Sequence, residues 1–157
     1  MEKTLEKNIV KGGGFLFNHP HFSEIFIPEE FNDEQKMMAK ATQDFIDKEV
    51  FPFVERIDAL EEGLMPSIMT KAGELGLLGV CIPEQYGGLG MSFNTGMLIA
   101  DIVASTGSFT TAFGAHTGIG TLPILYYGDD AQKEKYLPNL SSGEWKACYC
   151  LTEPDSG

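Results

Sequence analysis

Trp145-Lys146-Ala147-Cys148-Tyr149-Cys150-Leu151-Thr152-Glu153-Pro154-Asp155-Ser156-Gly157 closes the sequence and decides how the rest is read. From Trp145 to Leu151 the pattern alternates. Trp145, Ala147, Tyr149 and Leu151 fall on one strand face; Lys146, Cys148 and Cys150 fall on the other. The Pro, Asp, Ser and Gly that follow are turn formers. A lone strand leaves its backbone donors and acceptors unpaired. The segment is therefore expected to be the first strand of a β domain that the chain cuts short.

Working outward, almost everything before Trp145 reads as helix. Asp129 or Asp130 caps an amphipathic helix from Ala131 to Leu137, and Leu140 with Ser141-Ser142-Gly143 turns into the strand. The run Ser108–Tyr127 contains no Lys, Arg, Asp or Glu, and a helix apolar all round is a central one. Within it, Gly114, Gly118 and Gly120 each weaken the helix by up to about 1 kcal/mol. With Ala115, they imply either close helix packing or room for a ligand. His116 reads as a satisfied core histidine, not a catalytic one, and Pro123 is a candidate kink.

Farther upstream, Ser92 caps a helix carrying Met97, Leu98, Asp101, Ile102 and Ser105, and Gly107 ends it. Leu77–Pro83 reads as a short extended apolar run. Glu84–Gly90 reads as tight turns, with three glycines in four positions. Pro66 opens a helix with Ile68, Met69, Ala72 and Leu75 that stops at Gly76. The first helix begins at Asn32, with Gln35 in the capping-box position and an apolar face of Met38, Ala41, Phe45 and Ile46. Pro52 kinks or ends it near Val50-Phe51.

Residues 1–30 form an arm rich in phenylalanine (Phe15, Phe17, Phe22, Phe26) that is expected to dock. Its Gly12-Gly13-Gly14 lacks phosphate-loop spacing and reads as a connector. The expected organisation is thus a docking arm (1–30), an all-helical domain (31–143) and the start of a β domain (144–157). The fold class is mainly α, an antiparallel helical bundle.

Composition narrows the function. The net charge is −12, from 11 basic and 23 acidic residues, without a basic stripe, which argues against nucleic acid. The start has no signal-peptide pattern, and no stretch has the length of a transmembrane helix, so a cytoplasmic location is expected. Cys81, Cys148 and Cys150 form no CxxC pair, and His19-Pro-His21 has no third ligand at metal-site spacing. No metal is expected.

Four motifs in order carry a family resemblance: Glu74-Leu75-Gly76-Leu77-Leu78-Gly79, Ile82-Pro83-Glu84-Gln85-Tyr86-Gly87-Gly88-Leu89-Gly90, Gly128-Asp129-Asp130-Ala131-Gln132-Lys133-Glu134-Lys135-Tyr136-Leu137-Pro138, and Cys150-Leu151-Thr152-Glu153-Pro154 with Ser156-Gly157. Together, over residues 31–157, they resemble the amino-terminal part of acyl-CoA dehydrogenases. Lys11-Gly-Gly-Gly-Phe15-Leu16 resembles the arm of long-chain and very-long-chain members. The resemblance implies a flavoprotein oxidoreductase with FAD. It would oxidise the Cα–Cβ bond of a fatty acyl-CoA in β-oxidation and pass electrons to electron-transfer flavoprotein. At full length it would be a homo-oligomer.

By the same resemblance, Tyr149, Leu151 and Thr152 contact the flavin, and Gly114, Ala115 and Gly118 flank the acyl tail. The catalytic base is expected beyond Gly157, so no catalytic residue is assigned and the chain alone is expected to be inactive. The rival reading is a stand-alone helical module that binds acyl groups or a partner without catalysis.

Overall fold

The computed structural model describes Val10 and residues 13–156. Most of the Met1–Lys11 start, the first glycine of the triple-glycine run, the side chain of Phe15 and Gly157 lie outside the described residues. The chain divides into two compact units between Lys36 and Met37.

The first unit is built from single 3₁₀ turns at Gly14–Leu16, Phe22–Glu24 and Pro28–Glu30. Pro20 and Pro28 keep the stretch between them from forming a longer regular helix. Phe26 packs edge-on against Phe31 with ring centroids 5.1 Å apart, while Leu16, Phe17 and Phe22 are exposed. The unit ends by starting helix α1 (Asp33–Phe45). The capping box is formed in full: Gln35 N–H donates to Asn32 Oδ1 at 2.8 Å and Asn32 N–H donates to Gln35 Oε1 at 3.0 Å.

In the second unit the buried face of α1 is Thr42, Phe45 and Ile46, with Met38 half-buried. Ala41, expected inside, is exposed. Thr42 takes that place because its hydroxyl donates to the Met38 carbonyl at 2.8 Å, so no polar atom is buried unpaired. Pro52 does not stop the helix. The ladder widens to a π turn at Ile46–Val50, tightens to 3₁₀ at Phe51–Phe53, and resumes as α2 (Val54–Asp58).

Helix α3 (Leu64–Glu74) starts a little before Pro66 and ends in a Schellman motif. Gly76 takes φ +76°, its N–H donates to Gly73 O at 2.8 Å, and Leu77 N–H donates to Ala72 O at 2.9 Å. Residues 77–83 are not extended. They fold as linked turns that hydrogen-bond to 89–91, through Leu89 N–H to Gly79 O (2.9 Å) and Met91 N–H to Val80 O (2.8 Å). Leu77, Leu78, Val80 and Ile82 are all buried, while Gly79 N–H donates to Gly76 O (3.1 Å) and Ile82 N–H donates to Gly79 O (3.1 Å), local bonds that bend the chain at each glycine.

Helix α4 (Phe93–Val103) is capped by Ser92 as expected, but its inner face is Thr95, Ile99 and Val103, and Met97 and Asp101 are exposed. The charge-free run forms α5 (Ser108–Gly114), a π turn (Ala115–Gly120) and α6 (Leu122–Tyr127). Phe109, Phe113, His116 and Thr121 are buried, yet Ile119, Tyr126 and Tyr127 are exposed, so the run is central on one side only. Pro123 sits in the first turn of α6, where its missing N–H is tolerated; the ladder is distorted just before it, in the π turn. Helix α7 (Asp130–Ser141) passes Leu137 and Pro138 before ending; Asp129 and Gln132 form its capping box.

The core gathers Phe45, Ile46, Val50, Ile68, Met69, Ile99, Val103, Phe109 and Phe113. The molecule is mainly α, as expected. Residues 145–151 pair with no strand among the described residues; the nearest feature is an isolated bridge between Glu153 and Ser156. A strand needs a neighbour to satisfy its backbone, and none is present in the described chain. Among the described residues, no helix is long and apolar enough to cross a membrane.

Candidate functional site

The larger cavity, of about 740 Å³, has one wall from Ile57 of α2 and Met65 and Met69 of α3, a second from Ala112, Ala115 and His116, and a third from Lys146, Ala147 and Cys148. Its rim carries Glu61 and Glu62. Glu61 is not free, because Arg56 Nε and an Arg56 terminal nitrogen both donate to its carboxylate. These bonds hold the Glu61 carboxyl below the usual carboxylate range.

A smaller groove, of about 290 Å³, lies between α4 and α5–α6 and is lined by Phe93, Met97, Gly114, Thr117, Gly118 and Leu122. A Cβ added at Gly114 or Gly118 would meet nothing within 4 Å, so both glycines look onto open space. The expected acyl-flanking residues are thus divided. Gly114 and Gly118 share the small groove, and Ala115 lines the large cavity.

His116 joins the walls of the large cavity. The ring is 0 % exposed, with Nε2 2.9 Å from Leu140 O and Nδ1 accepting from Ala147 N–H at 3.1 Å. Burial pushes its pKa below the ordinary histidine value. It is therefore the satisfied core histidine that the sequence suggested. Around it the segment after α7 is fastened to the helices. Lys146 Nζ donates to Thr70 Oγ1 at 2.8 Å, and Trp145 packs edge-on against Tyr136 at 5.9 Å. No local pattern marks these contacts, because the partners lie far apart in sequence.

Past Cys148 the segment leaves the helices. Tyr149, Leu151 and Thr152 are exposed, and among the described residues the backbone of 148–152 makes no backbone hydrogen bond. Cys148 and Cys150 are exposed free thiols, and the hydrogen bond between them pushes the Cys148 pKa up. Cys81 is half-buried, and burial pushes its thiol up as well. No group of three metal-ligating side chains occurs among the described residues.

Helices α2 to α7, with a cavity walled on one side by Lys146, Ala147 and Cys148, define a helical domain that presents an exposed segment after α7. The family model for the acyl-CoA dehydrogenase N-terminal domain matches residues 32–144. A probable acyl-CoA dehydrogenase of Bacillus subtilis (strain 168) is 47% identical over 150 residues, covering 96% of this chain and 25% of that protein. The very long-chain specific acyl-CoA dehydrogenase of Rattus norvegicus mitochondria is 47% identical over 85 residues, covering 54% of this chain and 13% of that protein. Among solved structures, an acyl-CoA dehydrogenase from Bacillus anthracis complexed with FAD superposes with a TM-score of 0.88 at 47% identity, covering 94% of this chain and 25% of that one. The chain belongs to the acyl-CoA dehydrogenase family, as its N-terminal domain. It spans about a quarter of the length of the Bacillus relatives it matches.

Proposed function

We propose that this chain is the helical acyl-binding part of an FAD-dependent acyl-CoA dehydrogenase that forms the α,β double bond of fatty acyl-CoA in β-oxidation. One observation carries the reading. The large cavity has Ala115 on one wall and Cys148 on another, so a site for an apolar chain adjoins the stem of the 149–152 segment. The thioethers and methyls of Met65, Met69, Ala112 and Ala115 would take the acyl tail and keep water from it. The 47% identity to a very long-chain specific relative supports long acyl chains.

The exposed segment fits one edge of a flavin. Among the described residues no backbone group bonds to those of Tyr149 and Leu151, and Thr152 offers a hydroxyl that both donates and accepts. These residues would hold the polar edge of the isoalloxazine, and FAD, when bound, supplies the hydride acceptor. That the Bacillus anthracis relative is complexed with FAD supports the cofactor. No base is assigned within the chain; the Glu61 carboxylate beside the cavity is already bonded to Arg56. Electron-transfer flavoprotein as acceptor, a homo-oligomer at full length and a cytoplasmic location complete the reading.

The test uses the purified chain. Titration with palmitoyl-CoA is expected to show binding that Ala115→Trp weakens at least about tenfold by filling the large cavity, while Gly118→Leu leaves it unchanged. Binding lost in Gly118→Leu and kept in Ala115→Trp would overturn the assignment of the acyl site.

A further inference from the structure

We infer that His116 is a positioning residue: its neutral ring pins Ala147 to the helices and so sets where the segment carrying Tyr149, Leu151 and Thr152 leaves the domain. The bearing of this on flavin rests on the function proposed above; the pin itself does not.

The hydrogen bonds decide the tautomer. The Leu140 carbonyl can only accept, so Nε2 must carry the proton and donate to it at 2.9 Å. The Ala147 N–H can only donate, so Nδ1 must be bare to accept it at 3.1 Å. A ring with both nitrogens committed inside the protein has no nitrogen left for a substrate. It can hold two pieces of backbone at a fixed separation: the end of α7 and the segment that follows it.

The local backbone serves the same contact. His116 lies in the π turn Ala115–Gly120, and Thr121 Oγ1 donates to the His116 carbonyl at 2.6 Å. A widened turn of this kind shifts a side chain out of the ordinary helical register. Gly120, in the same turn, leaves the space that the Ala147 methyl fills. Lys146 adds its bond to Thr70 of α3. Residues 146 and 147 are therefore fixed to α3, to the π turn and, through the ring, to α7. Residues 148–152 extend from that fixed point.

Two substitutions separate the two bonds. Asn at 116 places an accepting oxygen at the level of Nδ1 and loses the donor to Leu140. Gln places an amide N–H at the level of Nε2 and loses the acceptor for Ala147. In His116→Gln, amide exchange at Ala147 is expected to speed up at least about tenfold and acrylamide quenching of Trp145, the single tryptophan, to increase. His116→Asn is expected to restore both towards wild type even where its melting temperature is lower. A merely structural histidine would move both variants together, in step with lost stability, and that result would overturn the inference. If a variant fails to fold, the wild-type ring answers the question. Nitrogen shifts showing Nε2–H and a bare Nδ1 support the pin, and the opposite tautomer or a charged ring overturns it. None of these readouts requires flavin or acyl-CoA, so failure of the pin is distinguishable from failure of the proposed function.

Discussion

Gly120 faces Ala147 so closely that a Cβ built on the glycine would lie 2.4 Å from the alanine Cβ. The segment after α7 is seated in a space that only a missing side chain provides. Gly120→Ala is expected to lift residues 145–147 from the helices. Overpacking of this kind costs about 1–3 kcal/mol, and here the surface segment yields before the core does. Trp145 emission should shift to the red with a small fall in melting temperature. An unchanged emission spectrum would show that the contact does not exist in solution.

The same seating divides the C-terminal residues into two classes. Residues 148–156 are exposed, and deleting the chain from Cys148 onward should leave the melting temperature almost unchanged. Deleting 145–157 also removes the Ala147–His116 and Lys146–Thr70 hydrogen bonds, a loss of about 1–3 kcal/mol. Equal thermal denaturation curves for the two deletions would contradict the docking.

Phe109 is 0 % exposed, between Phe45 at 6.0 Å and Phe113 at 5.9 Å. Phe109→Ala is expected to cost about 3–5 kcal/mol in urea unfolding, by removing buried ring area and leaving a cavity. Leu60→Ala, at an 87 % exposed position, should cost under about 0.5 kcal/mol.

His116 makes stability depend on pH. Burial sets its folded pKa below the ordinary 6.5; the bond to the Leu140 carbonyl opposes this, and Lys146, on the segment that the ring holds, adds to it. Cys148, Glu61 and Glu62 share the cavity with the ring. A group with a depressed folded pKa is protonated more readily when unfolded. Its contribution is fully present above about pH 6.5 and is lost as pH falls towards the folded value. Chemical denaturation of wild type and His116→Asn from pH 7.5 to 5 should show the wild-type advantage shrinking with acid. A constant difference would rule out this linkage.

We expect no dehydrogenase turnover from the 157-residue chain alone with palmitoyl-CoA, added FAD and an artificial electron acceptor. Its cavity offers Glu61, already paired with Arg56, and the rim residue Glu62 as carboxylates. Turnover that Glu61→Gln or Glu62→Gln abolishes would place the base within this chain.

Much of the fold was legible locally. The caps at Asn32, Ser92 and Asp129 and the stop at Gly76 depend on residues a few positions apart, and the structure forms each of them. Which side of a helix faces inward was less legible. Spacing allowed both Ala41 and Thr42, and only the packing, with the bond from Thr42 to Met38, chose the threonine. Residues 77–83 read as extended but fold as turns, because an apolar run does not show which backbone groups, here those of 89–91, it will bond to.

The motifs along the chain and the caps between them determined the family and the helical class, since both are written in short-range order. The site was decided by tertiary structure. The family resemblance placed Gly114, Ala115 and Gly118 together beside the acyl tail; in the structure, where the helix widens to a π turn at Ala115–Gly120, Ala115 lines one cavity and the glycines another. Sequence named His116 as buried but could not name its partners, because Leu140 and Ala147 reach the ring only when α7 closes over the π turn.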